Sequence, residues 1–184
     1  LHAMKLACEK KAKIVCVSSG GEVVETADKN ALDFIRIPSG FPPRAAFAFS
    51  FTQLFYILSF FKIIPDDFKK SINNAISLIE KEEESILKEA KSVAEKILGK
   101  IPVIYCDASF EGVAIRFRQQ INENGKMLCW HHAIPEMNHN ELVGWTGKNE
   151  TLAVVIFRYV ADIGFRSRCG FVWHPLQAAA ALTM

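Results

Sequence analysis

The sequence has no C-x-x-C pair, no surplus of either charge and no charged, apolar, small-residue leader over residues 1–20. Each absence excludes something. Cys8, Cys16, Cys106, Cys129 and Cys169 are an odd, scattered set, which argues against both a disulfide framework and a zinc ribbon and fits a reduced, cytoplasmic compartment. Twenty-two basic and 20 acidic side chains leave a net charge of +2 with no basic stripe, so nucleic acid is not an expected partner. The missing leader argues against secretion. A single run, residues 45–61, is 17 residues long without a charge, and Ser50, Thr52, Gln53 and Ser59 interrupt it before Lys62 closes it. With no second candidate span, the run is expected to be a helix buried between a sheet and a second copy of the chain, not a membrane segment.

What is present is enough for a core: 184 residues, half of them hydrophobic. Apolar runs and helical spacing alternate. Leu1–Lys11 reads as a helix, Lys13–Ser18 as a strand, Gly20-Gly21 as a turn, Val23–Leu32 as a helix and Asp33–Pro38 as a strand. Ser39-Gly40-Phe41-Pro42-Pro43-Arg44 forms a rigid turn before the apolar helix, which places Arg44 at a helix N-terminus where backbone N–H groups favour an anion. Helical spacing resumes from Asp66 to Leu98, with the charged stretch Glu80–Glu84 as an interruption and the expected boundary between two subdomains, 1–82 and 83–184. After Gly99 the pattern restarts: strand Ile101–Cys106, helix Glu111–Ile121, strand Lys126–Trp130, a helix near Asn138–Val143 and strand Leu152–Phe157. Continuous apolar strands separated by helices predict an α/β fold with parallel sheets covered on both faces.

Four segments stand out: Ala-Lys-Ile-Val-Cys-Val-Ser-Ser-Gly-Gly (12–21), Ile-Pro-Ser-Gly-Phe-Pro-Pro-Arg (37–44), Ile-Asn-Glu-Asn-Gly-Lys (121–126) and Pro-Glu-Met-Asn-His-Asn-Glu (135–141). In this order, with Glu123 and His139 sixteen positions apart, they resemble the bifunctional phosphoglucose/phosphomannose isomerases of the SIS (sugar isomerase) superfamily. The resemblance covers roughly residues 1–158 and implies parts of two tandem SIS subdomains, each a parallel sheet flanked by helices.

The resemblance further implies an aldose–ketose isomerase that works through a cis-enediol on glucose 6-phosphate or mannose 6-phosphate, giving fructose 6-phosphate. Glu123 falls on the family's base, His139 on its ring opener and Arg44 on a substrate-contacting arginine. The chemistry suits those groups: a carboxylate with a raised pKa can take the C2 proton, and an imidazole that titrates near neutrality can protonate the ring oxygen. No metal or organic cofactor is implied; a homodimer is. The family's phosphate-binding loop, of the form S-x-S-G-N-T-x-E-T, would precede Leu1, so the chain is expected to begin inside the first subdomain. Residues 159–184 match nothing expected of the family and are left unassigned, His174 included.

Three other readings compete. His131, His132, His139, Glu136 and Glu141 could suggest a metal site, but adjacent histidines at a strand end should diverge to opposite faces. His139-Asn140-Glu141 is half of a zinc-deaminase signature whose cysteine half is missing. The alternative to an enzyme is a SIS-domain regulator that binds a sugar phosphate without catalysis; it calls for a DNA-binding helix-turn-helix, and none is legible in these residues.

Overall fold

The computed structural model describes residues 1–146, 149–161 and 167–174. The chain separates into two units, Leu1–Lys81 and Glu82–Met184.

The first unit contains helix α1 (His2–Glu9), strand β1 (Val15–Ser18), helix α2 (Glu22–Lys29), strand β2 (Asp33–Arg36), a 3-10 turn at Pro43–Ala45, helix α3 (Phe47–Phe60) and the start of helix α4 (Phe68–Ile97). Strands β1 and β2 pair in parallel, from Val15 opposite Asp33 to Ser18 opposite Arg36. Gly21, at φ 69°, makes the turn from β1 into α2 in a backbone region that other residues enter at a cost. Val24 and Ala27, three apart on one face of α2, are buried, as is Cys16 on β1. At the start of α4, Phe68 is buried against Phe55 and Tyr56, with ring centroids 5.7 and 5.1 Å away.

Within one chain, helix α3 keeps much of its apolar surface open. None of its residues is buried within the chain, and Phe47, Phe51, Leu54, Tyr56 and Phe60 are exposed. A helix that is apolar all round needs cover on several sides, and a two-stranded sheet is too narrow to supply it. Among the described residues no helix is long and apolar enough to cross a membrane. The charged stretch Glu80–Glu84 does not break α4, which runs through it without interruption. Glutamate and lysine are good helix formers, and Glu84 and Lys88 have the four-residue spacing that supports a solvated helix.

The second unit contains the rest of α4, strand β3 (Ile101–Cys106), helix α5 (Glu111–Asn124), strand β4 (Trp130–Ala133), helix α6 (Ile134–Asn140), a 3-10 stretch at Leu142–Thr146, strand β5 (Leu152–Ala161) and strand β6 (Ser167–His174). The sheet order is β4-β3-β5-β6; the first three strands are parallel and β6 is antiparallel to β5. Strand β6 comes from the unassigned tail, so the sheet is not wholly parallel; residues 162–166 and 175–184 of that tail lie outside the described residues.

Alternation along β3 divides the core. Ile104 and Cys106, both fully buried, pack with Ile97, Ala114, Cys129, Ala153 and Val155. Val103 and Tyr105 pack on the other face with Met137. Helices therefore cover both faces, α4 and α5 on one and α6 on the other. Strand β4 starts four residues later than its apolar run suggests. Lys126, at φ 54°, closes α5 in the left-handed region, and the Met127 carbonyl is taken up by Asn122 Nδ2 at 2.9 Å, so this stretch is spent on the turn. Helix α6 begins correspondingly early, at Ile134, with Pro135 in its first turn, where a fixed φ costs nothing.

Pro102 is fully buried in β3 opposite Ala153. Its neighbour Ile101 donates its N–H toward the β5 side, to Thr151 O at 2.8 Å, so the proline nitrogen faces the other flank. There β4 has not yet begun to pair; its first partner is Val103.

Candidate active site

Helix α5 presents Ala114, Phe117 and Ile121 to the core; Phe117 meets Phe157 at 5.4 Å between ring centroids. Glu123, two residues beyond Ile121, is rotated about 200° from it and is exposed. The Asn-Glu-Asn turn around it is tightly held. Asn122 caps the Met127 carbonyl, Asn124 Nδ2 donates to Gln120 Oε1, and a Cβ at Gly125 would lie 2.8 Å from the Ile121 carbonyl oxygen. Glycine is required there by space.

Helix α6 repeats the arrangement. Met137 is buried against Val103 and Tyr105, while His139, two residues on, is exposed. Each of the two residues is thus carried on a short polar turn whose opposite side is fixed to the sheet. Arg44 lies in the first unit, in the 3-10 turn ahead of α3 and not in the helix itself, and is partly buried.

A cleft of about 900 Å³ opens beside β4, lined by Tyr105, Arg118, His131, His132, Glu141 and Trp145 among others; Glu123 and His139 are not among its lining residues. The adjacent histidines diverge as alternation requires: His131 Nε2 lies 3.8 Å from Glu111 Oε1, and His132 Nδ1 lies against Glu141 Oε1. Burial and then the Arg118 guanidinium hold His131 below the ordinary imidazole range, with Glu111 opposing. Arg118 Nε and His131 Nδ1 are buried without a hydrogen-bond partner. Among the described residues no three His, Cys, Asp or Glu side chains are grouped to hold a metal ion.

The same cleft holds a polar chain that the sequence did not announce. Trp145 Nε1 donates to the Tyr105 hydroxyl at 2.8 Å, and Tyr105 donates to Glu141 Oε2 at 2.8 Å. Burial pushes the Tyr105 phenol upward, with the Trp145 bond opposing, so the proton needed for this donation stays in place at neutral pH. In sequence Tyr105 reads as one more apolar residue of a buried strand. Only its hydroxyl could have signalled a distant partner.

Residues 86–169 match the family model of the bacterial phospho-glucose isomerase C-terminal SIS domain. The chain is a relative of the bifunctional phosphoglucose/phosphomannose isomerases. It is 35% identical over 151 residues to the one from Caldicellulosiruptor bescii (78% of this chain, 44% of that protein) and 30% identical over 148 residues to the one from Aquifex aeolicus (79% and 44%). The D-glucosamine-6-phosphate 4-epimerase of Sulfolobus acidocaldarius is 28% identical over 159 residues (85% and 50%). A proposed phosphosugar isomerase from Clostridium difficile shares the fold, with a TM-score of 0.59 at 17% identity over 88% of this chain and 48% of that one. The SIS-type α/β fold is therefore common to the chain and its relatives, and the chain spans about half the length of the proteins it matches.

Proposed function

We propose that the whole protein interconverts glucose 6-phosphate or mannose 6-phosphate with fructose 6-phosphate through a cis-enediol. The observation that carries this reading is the pair of core-anchored turns that present Glu123 and His139, on a chain similar to bifunctional phosphoglucose/phosphomannose isomerases. Glu123 is the base that moves the proton between C2 and C1. His139 protonates the ring oxygen so that the sugar opens first. Arg44 contacts the substrate and offsets charge that develops on the enediolate. Dual specificity follows from the chemistry, because the enediol has lost the C2 stereocentre that separates glucose from mannose. Acid–base transfers suffice, without metal or organic cofactor.

In this reading the first unit is the C-terminal part of one SIS subdomain and the second unit is the next. The enzyme is cytoplasmic, binds neither nucleic acid nor membrane, and works as a homodimer that covers the exposed aromatics of α3. Glu123 is exposed in the single chain, whereas a base that works near neutral pH benefits from burial. Substrate and a second copy supply that cover.

The exposure of both groups favours, as the second reading, a SIS-domain protein that binds a sugar phosphate without turnover. The full-length protein decides between them. Formation of fructose 6-phosphate from glucose 6-phosphate supports the isomerase; calorimetric binding of glucose 6-phosphate without product supports the regulator; absence of both turnover and binding overturns both readings.

A further inference from the structure

We propose that Tyr105, tied to Trp145 and to Glu141, is a positioning residue that sets the direction in which His139 leaves α6. The inference rests on the ring-opening role given to His139 above.

The hydrogen-bond directions are forced. An indole N–H can only donate and an ionised carboxylate can only accept, so the single phenolic proton of Tyr105 must go to Glu141 while its oxygen receives Trp145. Both bonds are 2.8 Å long and partly buried, which makes them worth more than surface contacts. Glu141 is the first residue past α6, and its N–H closes onto the Met137 carbonyl at 2.9 Å.

Met137 and Glu141 are therefore two of the fastenings of α6, beside the packing of Ile134 and Leu142; they stand four residues apart on the same side of the helix, one apolar and one polar. His139 lies midway between them and points away from the sheet. With both ends held, its Cα–Cβ direction is fixed; without the Tyr105 hydroxyl, Glu141 is left with His132 and with the packing of Leu142 beyond it, and the last turn of a seven-residue helix gains freedom. A ring opener must reach one oxygen at hydrogen-bond distance, so loss of direction lowers turnover more than affinity.

The test uses the full-length enzyme and two substrates, cyclic glucose 6-phosphate and an analogue that cannot cyclise, the latter followed by deuterium loss from C2. Tyr105→Phe keeps the ring and removes the hydroxyl. The expected result is a kcat on the cyclic substrate about tenfold lower, the scale of one hydrogen bond, with KM and the open-chain exchange little changed. Glu141→Ala, which also takes away the His132 contact, should lower that kcat at least as far, the double variant should be no worse than Glu141→Ala, and Glu141→Gln, which still accepts from Tyr105, should restore most of what Glu141→Ala loses. If Tyr105→Phe matches wild type while His139→Ala impairs the cyclic substrate, the positioning role is wrong and the His139 assignment survives. If His139→Ala leaves the cyclic substrate untouched, the assignment falls and the positioning role with it. Equal damage by Tyr105→Phe on both substrates means a general loss of structure, and that also overturns the proposal.

Discussion

Met137 and His139 face opposite sides of α6, the first 1% exposed and the second turned to solvent. Ile121 and Glu123 stand in the same relation on α5. The residues proposed for chemistry therefore contribute little to the core, and those that contribute to the core sit two positions away. Stability and turnover should be separable by mutation.

Glu123→Gln in the full-length protein should lower isomerisation by roughly 100-fold or more while leaving sugar-phosphate binding nearly intact, because the amide keeps the shape and loses the base. Steady-state kinetics alongside calorimetry measures both. Turnover at the wild-type level removes Glu123 from the proton transfer.

Ile104→Ala should behave in the opposite way. Ile104 is fully buried between β3 and α5, and truncation there should cost about 3 kcal/mol. Val113, on α5 but 57% exposed, is the matched control, and Val113→Ala should change stability by less than about 0.5 kcal/mol. Urea unfolding of the two variants checks the difference.

Cys129 makes stability depend on pH. Burial pushes its thiol up to about 11, with Arg118 opposing. A pKa raised on folding means that the folded state favours the neutral thiol. Its contribution is complete below the unfolded value near 8.5 and is lost as pH rises from there through the folded value. Wild type should lose roughly 2–3 kcal/mol more than Cys129→Ala between about pH 8 and 11. Parallel curves for the two proteins over that range contradict the expectation.

Phe51 is 44% exposed on α3, between Phe47 and Phe55 at ring-centroid distances of 4.9 and 4.8 Å. If a second copy covers this row, Phe51→Asp in the full-length protein should shift sedimentation from dimer to monomer with little effect on the fold of one chain. A wild-type protein that sediments as a monomer contradicts the proposed interface.

Local chemistry was legible in the sequence wherever an element carries its own pattern. The apolar run Ile101–Cys106 is β3, and the spacing of Ala114, Phe117 and Ile121 gives α5 and its buried face. The start of β4 was not legible, because Lys126 adopts a left-handed turn that glycine usually occupies and so hides the helix end by three or four residues. Nor was the continuity of α4, where a charge run that reads as a break is a solvated stretch of one helix. Of the candidate site, Glu123 and His139 stand in motifs. Tyr105 depends on partners 36 and 40 positions away, which no local pattern can encode.

Pro102 has a consequence for the hydrogen-bond accounting of the sheet. At the foot of β3, on the flank where β4 has not begun to pair, the residue whose N–H would face sideways has none. Because Pro102 is fully buried, any other residue there would place a donor inside the protein with no strand to receive it. A residue that looks misplaced in a central strand thus removes the one donor that its neighbour strand does not reach.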